Sequence, residues 1–226
     1  MNRIKLFAVA IFVAISAGVY AQNPFFSTKA GTVLVYEKKD GKGEIEDYSR
    51  QTVKAVEGSG SNMTVSYLSE NMDKNKKVLA EILCKMVIKN DVMIFDLKHV
   101  LVGRLKDPKV KIESTAGTPM ELPNNLKSGQ SLKDAKIVIN VSKGIIKAKI
   151  DVSMTGGKCV GIEDVTVPAG MFKCHKITQN VITVSMGKTT QTRVVAWYAP
   201  NVGVVKSETY NDKNQLQSHR ELIEIK

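Results

Sequence analysis

The chain has 226 residues, a formal net charge of +11, three cysteines, three histidines and a single tryptophan. With aromatic residues at 6%, it is poorly supplied with the rings that line a glycosidase cleft. None of its cysteines has CxxC spacing and its histidines do not form HExxH, and GxSxG and Walker motifs are absent, so zinc, redox, serine-hydrolase and phosphate-loop chemistry have no support.

Met1 to Ala21 carries the three parts of a secretory signal: Arg3 and Lys5, an apolar run from Leu6 to Ser16, and Val19-Tyr20-Ala21 as a small-residue cleavage site. The run is shorter than the ~20 residues that span a bilayer, and no cysteine follows it to take a lipid anchor. The expectation is export to the periplasm or beyond, with the mature chain starting at Gln22 and residues 22–226 forming one domain. Loss of the 21 residues leaves 205 and, with two basic side chains gone, a charge of +9. Most lysines sit singly on alternating positions, as in Lys147 and Lys149, and only Lys74, Lys76 and Lys77 cluster. A solvated sheet face and an acidic partner such as anionic lipid both fit this pattern; nucleic acid is not expected.

The mature chain reads as strand after strand. Gly31–Lys38, Glu44–Glu57 and Asn62–Ser69 are separated by Lys39-Asp40-Gly41-Lys42-Gly43 and Gly58-Ser59-Gly60-Ser61. Val78–Lys89 and Val92–Leu97 meet at Asn90-Asp91, a two-residue hairpin signal. The stripe Val78, Ala80, Ile82, Cys84, Met86, Ile88 alternates with charged positions, as do Ile146, Ala148, Ile150, Val152, Met154 and Ile137, Ile139, Val141. Period two with one apolar face predicts a half-buried antiparallel sheet. Lys98–Leu105 could form a helical turn or two, limited by Pro108, and Asp107–Asn125, with three prolines, suits a connection or short edge strands. Gly41-Lys42-Gly43 and Gly156-Gly157-Lys158 read as turns.

Two hairpins stand out. Val165-Thr166-Val167-Pro168-Ala169-Gly170-Met171-Phe172-Lys173-Cys174 turns at Pro168, with Gly170 supplying positive φ, and Trp197-Tyr198-Ala199-Pro200-Asn201-Val202-Gly203 repeats the arrangement. The order "VTVPAGMFKCHKI" followed by "WYAPNVGVVKSE", with Leu122-Pro123, Leu126-Lys127-Ser128-Gly129 and Leu132-Lys133-Asp134-Ala135 upstream, resembles an exported all-β family of unknown function abundant in Bacteroides-type Gram-negative bacteria. In that family a small hydroxyl residue is expected in place of Met171 and Gly in place of Asn201. The resemblance implies an exported all-β protein and brings no catalytic residue with it.

The predicted fold is mainly β: one antiparallel, strongly curved sheet, as a half-barrel or two packed layers, with little helix. Cys84, Cys159 and Cys174 read as small buried residues or as one bridge with a thiol left over, because the count is odd. Cys174 and His175 are adjacent on a strand, so their side chains should point to opposite faces. Glu44, Glu46 and Asp47, and Glu163 and Asp164, are the compact acidic groups, and solvated carboxylates are their ordinary outcome. No catalytic residue, metal ligand or cofactor site is predicted. The expected function is a non-enzymatic envelope protein holding an apolar or amphipathic ligand, or a partner protein, on its sheet; the alternative is an envelope hydrolase whose site the sequence does not reveal.

Overall fold

The computed structural model describes residues 24–95 and 110–226. The expected signal at 1–21, its cleavage before Gln22, the helical turn at Lys98–Leu105 and His99 lie outside the described residues. Within them the chain is all strand and turn: β1 (Val33–Asp40), β2 (Ile45–Ser59), β3 (Asn62–Asp73), β4 (Val78–Lys89), β5 (Val92–Phe95), β6 (Lys111–Thr118), β7 (Met120–Pro123), β8 (Ala135–Lys143), β9 (Ile146–Val167), β10 (Gly170–Ser185), β11 (Lys188–Ala199), β12 (Gly203–Asn211) and β13 (Leu216–Ile225).

All belong to one antiparallel sheet in the order β6-β8-β9-β10-β11-β12-β13-β1-β2-β3-β4-β5-β7. The two edges of this order, β6 and β7, are separated in the chain by Pro119 alone. Laid flat, thirteen strands would hold those edges about 58 Å apart, whereas the chain from Thr118 to Met120 reaches about 7 Å. The sheet therefore curls into a nearly closed barrel, more closed than the expected half-barrel. Residues 111–123 run as one extended stretch that pairs first with β8 and then with β5. Proline suits the crossing, because a residue without N–H gives up nothing where one ladder ends and the next begins.

The turns follow the local chemistry. Asn90 and Asp91 take φ of 51° and 60°, the mirror-image turn that a two-residue hairpin needs. Asn201 reaches φ 61° where the family resemblance led us to expect glycine, since asparagine tolerates the left-handed region. Lys74, Lys76 and Lys77 lie at the β3–β4 turn, with the Asp73 carboxylate accepting the amides of Asn75 and Lys77 at 2.9 Å.

Gly156-Gly157-Lys158 corrects the sequence reading, because it lies inside β9 and is no turn. The β9–β10 register slips there and again at Lys176/Ile177, each time leaving an extra residue on β9. These bulges bend the 22-residue strand around the barrel. Gly156 supplies φ 63° at the first, and a Cβ on Gly157 would sit 3.0 Å from the Leu132 side chain packed over it.

Two predicted stripes are buried over part of their length only. Cys84, Met86 and Ile88 are buried, but Val78 is exposed, because β5 pairs with β4 only from Met86 to Lys89. Likewise Val152 is buried and Ile146 exposed, because β9 runs past the end of β10.

Three apolar clusters form among the described residues. In the first, Val53, Val65, Tyr67, Cys84, Met86, Ile88, Met93 and Leu122 from β2–β5 and β7 meet Cys159, Ile177, Ala196 and Tyr198 from β9–β11. Phe25 and Phe26 wedge between the two walls: Phe25 stands 4.8 Å edge-on to His175 and 6.1 Å from Tyr198, and Phe26 lies 4.9 Å from Tyr67. The second gathers Leu34, Tyr36, Val167, Cys174, Trp197, Val205 and Leu222, and the third Met120, Ile137, Ile139, Val141 and Val152. Curling is what lets sheet cover sheet where no helix is available.

Candidate functional site

Antiparallel register decides which side chains share a face. Tyr36 lies opposite Ser49 on β2 and opposite Leu222 on β13, so Arg220, two residues before Leu222, points the same way as Tyr36. Tyr67 pairs with Val53, four residues on from Ser49, and Tyr198 pairs with His175, whose ring meets Phe25. All of these side chains look into the barrel.

The result is a polar island in an apolar interior. The Arg220 guanidinium lies 3.8 Å over the centre of the Tyr36 ring and donates through Nη2 to Ser49 Oγ at 2.9 Å. Burial pushes the Tyr36 and Tyr67 hydroxyls above the usual tyrosine value and Tyr198 up to about 12, while the Arg220 charge pulls all three back. Three neutral phenols and one cation thus share a patch of inner wall. Such a patch is suited to receive an anion.

The acidic groups named from sequence do not converge. Glu163 Oε1 accepts the Trp197 indole N–H at 2.6 Å and lies 3.2 Å from Lys176 Nζ, and those contacts, the indole bond first, hold its carboxyl below the usual range. Asp164 is opposite Lys173, on the other face from Glu163. Glu46 and Asp47 both reach Lys38, at 2.6 and 3.9 Å. No group of three or more metal-ligating side chains occurs among the described residues.

Cys84, Cys159 and Cys174 are buried, and no disulfide joins them. Burial raises Cys159, and burial together with the Asp164 and Glu163 charges pushes Cys174 up to about 11, so neither is a nucleophile at neutral pH. Cys174 and His175 face apart, as adjacent strand residues must: the thiol joins the Trp197 cluster and the imidazole meets Phe25.

His175 bonds the Leu126 carbonyl, its Nδ1 is buried without a hydrogen-bond partner, and burial lowers its pKa. A depressed histidine contributes stability above its unfolded pKa that is lost as pH falls. Below about pH 6.5 the unfolded chain takes up a proton that the folded chain resists, so stability should fall with pH until the folded pKa is reached. Urea titrations at descending pH check this, and His175→Gln should flatten the slope in that window. An equal slope in both proteins would place the effect elsewhere.

A model of DUF3108-like proteins matches residues 29–222, from before β1 to within β13. The chain belongs to the DUF3108-like family. Two crystal structures share its architecture. One, from Bacteroides fragilis, is described as a "putative exported protein with YmcC-like fold"; it is 23% identical, with a TM-score of 0.75, over 90% of this chain and 99% of that one. The other, from Parabacteroides distasonis, is described as a "putative lipoprotein"; it is 26% identical, with a TM-score of 0.78, over the same shares of the two chains. No curated protein matches the chain.

In this DUF3108-like chain, sequence reasoning passed over Arg220 and the three tyrosines. A signal was present: Leu216, Ser218, Arg220 and Leu222 form one alternating face, and an arginine two residues from a fully buried leucine must either line an interior or break it.

Proposed function

We propose that this is an exported, non-enzymatic envelope protein that holds an amphipathic ligand, with an acidic head and an apolar tail, on the inner face of its sheet. The secretory signal at 1–21 is removed, and residues 22–226 form the one working domain. The observation that carries the reading is the Arg220 guanidinium stacked on Tyr36 within the barrel, a cation held among apolar clusters. A carboxylate or phosphate head would meet Arg220 and the phenol donors, and a charge-assisted bond in such surroundings is worth more than one in water. For the tail, the partly buried Met154 offers an unbranched thioether chain that adapts to irregular partners. Export is supported by the three-part N-terminus and by the description of the Bacteroides fragilis relative as exported.

Native mass spectrometry of protein from its own envelope, repeated after delipidation, tests the reading. A bound mass lost on delipidation is expected, together with saturable binding of a dansylated fatty acid that Arg220→Gln weakens about tenfold. Arg220→Lys, which keeps the charge but not the planar fork, should fall between the two. Identical masses and no saturable binding of the probe would end the carrier reading. Hydrolytic turnover lost in Glu163→Gln would put an enzyme in its place.

A further inference from the structure

We propose that the end of the barrel bearing the β8–β9 and β10–β11 hairpins docks on the surface of an anionic phospholipid bilayer, with the β8–β9 tip inserted among the headgroups. This surface is separate from the interior site and stands or falls without it.

The geometry starts from register. The last pair between β10 and β9 is Ser185 with Ile150, but β9 begins four residues earlier at Ile146, paired with Lys143 of β8. The β8–β9 hairpin therefore projects about 13 Å beyond its β10 neighbour, as a finger. Its two-residue tip is Gly144-Ile145, with Gly144 at φ 59°, and Ile145 is 100% exposed. Beside it the β10–β11 tip is Met186-Gly187, with φ of 50° and 76°. That turn favours asparagine at its first position; a methionine there, 81% exposed, costs both backbone strain and apolar hydration. Ile146 and Ile112 extend the exposed apolar surface at this end.

Among the described residues nothing covers this exposure, and the charges around it indicate what does. Lys143, Lys147 and Lys149 flank the finger, Lys188 flanks the second tip, and Lys111 sits opposite Ser142 on the adjoining strand. The acidic side chains on the finger and on the strand beside it are both engaged: Asp151 pairs with Lys149 at 3.2 Å, and Glu113 accepts the Ser142 hydroxyl. The lysines that look isolated in sequence are thus brought together by hairpin pairing. Apolar side chains at hairpin tips flanked by lysines match the two layers of an anionic bilayer surface, acyl boundary and phosphate. An acidic protein or polysaccharide would use the lysines and leave Ile145 and Met186 in water.

Flotation of the full mature chain with vesicles tests this, using phosphatidylglycerol mixed into phosphatidylethanolamine against phosphatidylcholine alone. Binding to the anionic vesicles should be stronger by about tenfold or more and should weaken as salt rises. Ile145→Ser combined with Met186→Ser, and separately Lys143→Gln combined with Lys147→Gln, should each reduce it by about tenfold. Met171→Ser, at an exposed side chain on the opposite end of the barrel, should leave it unchanged. Because all these positions are on the surface, the variants should keep the parent's circular dichroism and melting temperature. A tryptophan introduced as Ile145→Trp should shift its emission to the blue on anionic vesicles. Absence of vesicle binding, or binding that survives the tip substitutions, overturns the proposal, as does binding lost equally in Met171→Ser.

Discussion

Replacing Phe25 with alanine is expected to destabilise the fold by about 3–5 kcal/mol, which for a chain of this size lowers the melting temperature by about 6–20 °C. Phe25 is 1% exposed and belongs to no strand, so nothing in the ladder holds it. It is held by Tyr198 and His175 at its ring edges and by Asn201, whose amide bonds the Pro24 carbonyl at 2.7 Å. Removing the ring leaves a void between two sheet walls that are tied together by backbone pairing around the barrel and cannot close on it. The cost should therefore lie at the upper end of the range. Thermal melting followed by near-ultraviolet circular dichroism gives the measurement, with Met171→Ala as a surface control. A midpoint within about 2 °C of the parent would mean that the barrel holds together without its wedge.

Gly117→Ala should be nearly as severe, for a different reason. Gly117 has φ +143°, and a Cβ built on it would stand 2.0 Å from the Lys136 carbonyl oxygen and 2.9 Å from the Ile137 Cα on β8. Both are backbone atoms of the paired strand, so no rotamer change relieves the clash. The conformational penalty is of order 1–3 kcal/mol, and the strand must also move away from β8. Because β6 closes the barrel, the loss should be local before it is global. Amide exchange should accelerate along Lys111–Thr118 and the facing edge of β8 while β2 and β3 keep their protection. Uniform protection across β6, with an unchanged urea midpoint, would refute this account of the seam.

The two variants separate what was legible from what was not. Alternation at Ile137, Ile139 and Val141, and at Cys84, Met86 and Ile88, identified the buried faces, because period two depends only on neighbouring residues. Asn90-Asp91 and Pro168-Ala169-Gly170 identified their turns, because the φ values they permit are intrinsic. Gly156-Gly157 misled, because a glycine pair marks a bulge as readily as a turn, and the choice depends on whether strand resumes with the same partner.

By itself the sequence determined the class of this protein: all-β, antiparallel and turn-rich, with an N-terminus that reads as an export signal. Each of those properties resides in a local pattern. Tertiary structure alone decided that β6 and β7 leave the two ends of one sheet to meet across Pro119, because pairing partners far apart in the chain carry no local mark. It also set Arg220 against Tyr36 inside the barrel, and placed Lys143 and Lys147 beside the Ile145 tip and Lys188 beside the Met186 tip. Both groupings arise from strand register, and register follows from how the whole curved sheet buries its apolar faces, which no single strand specifies.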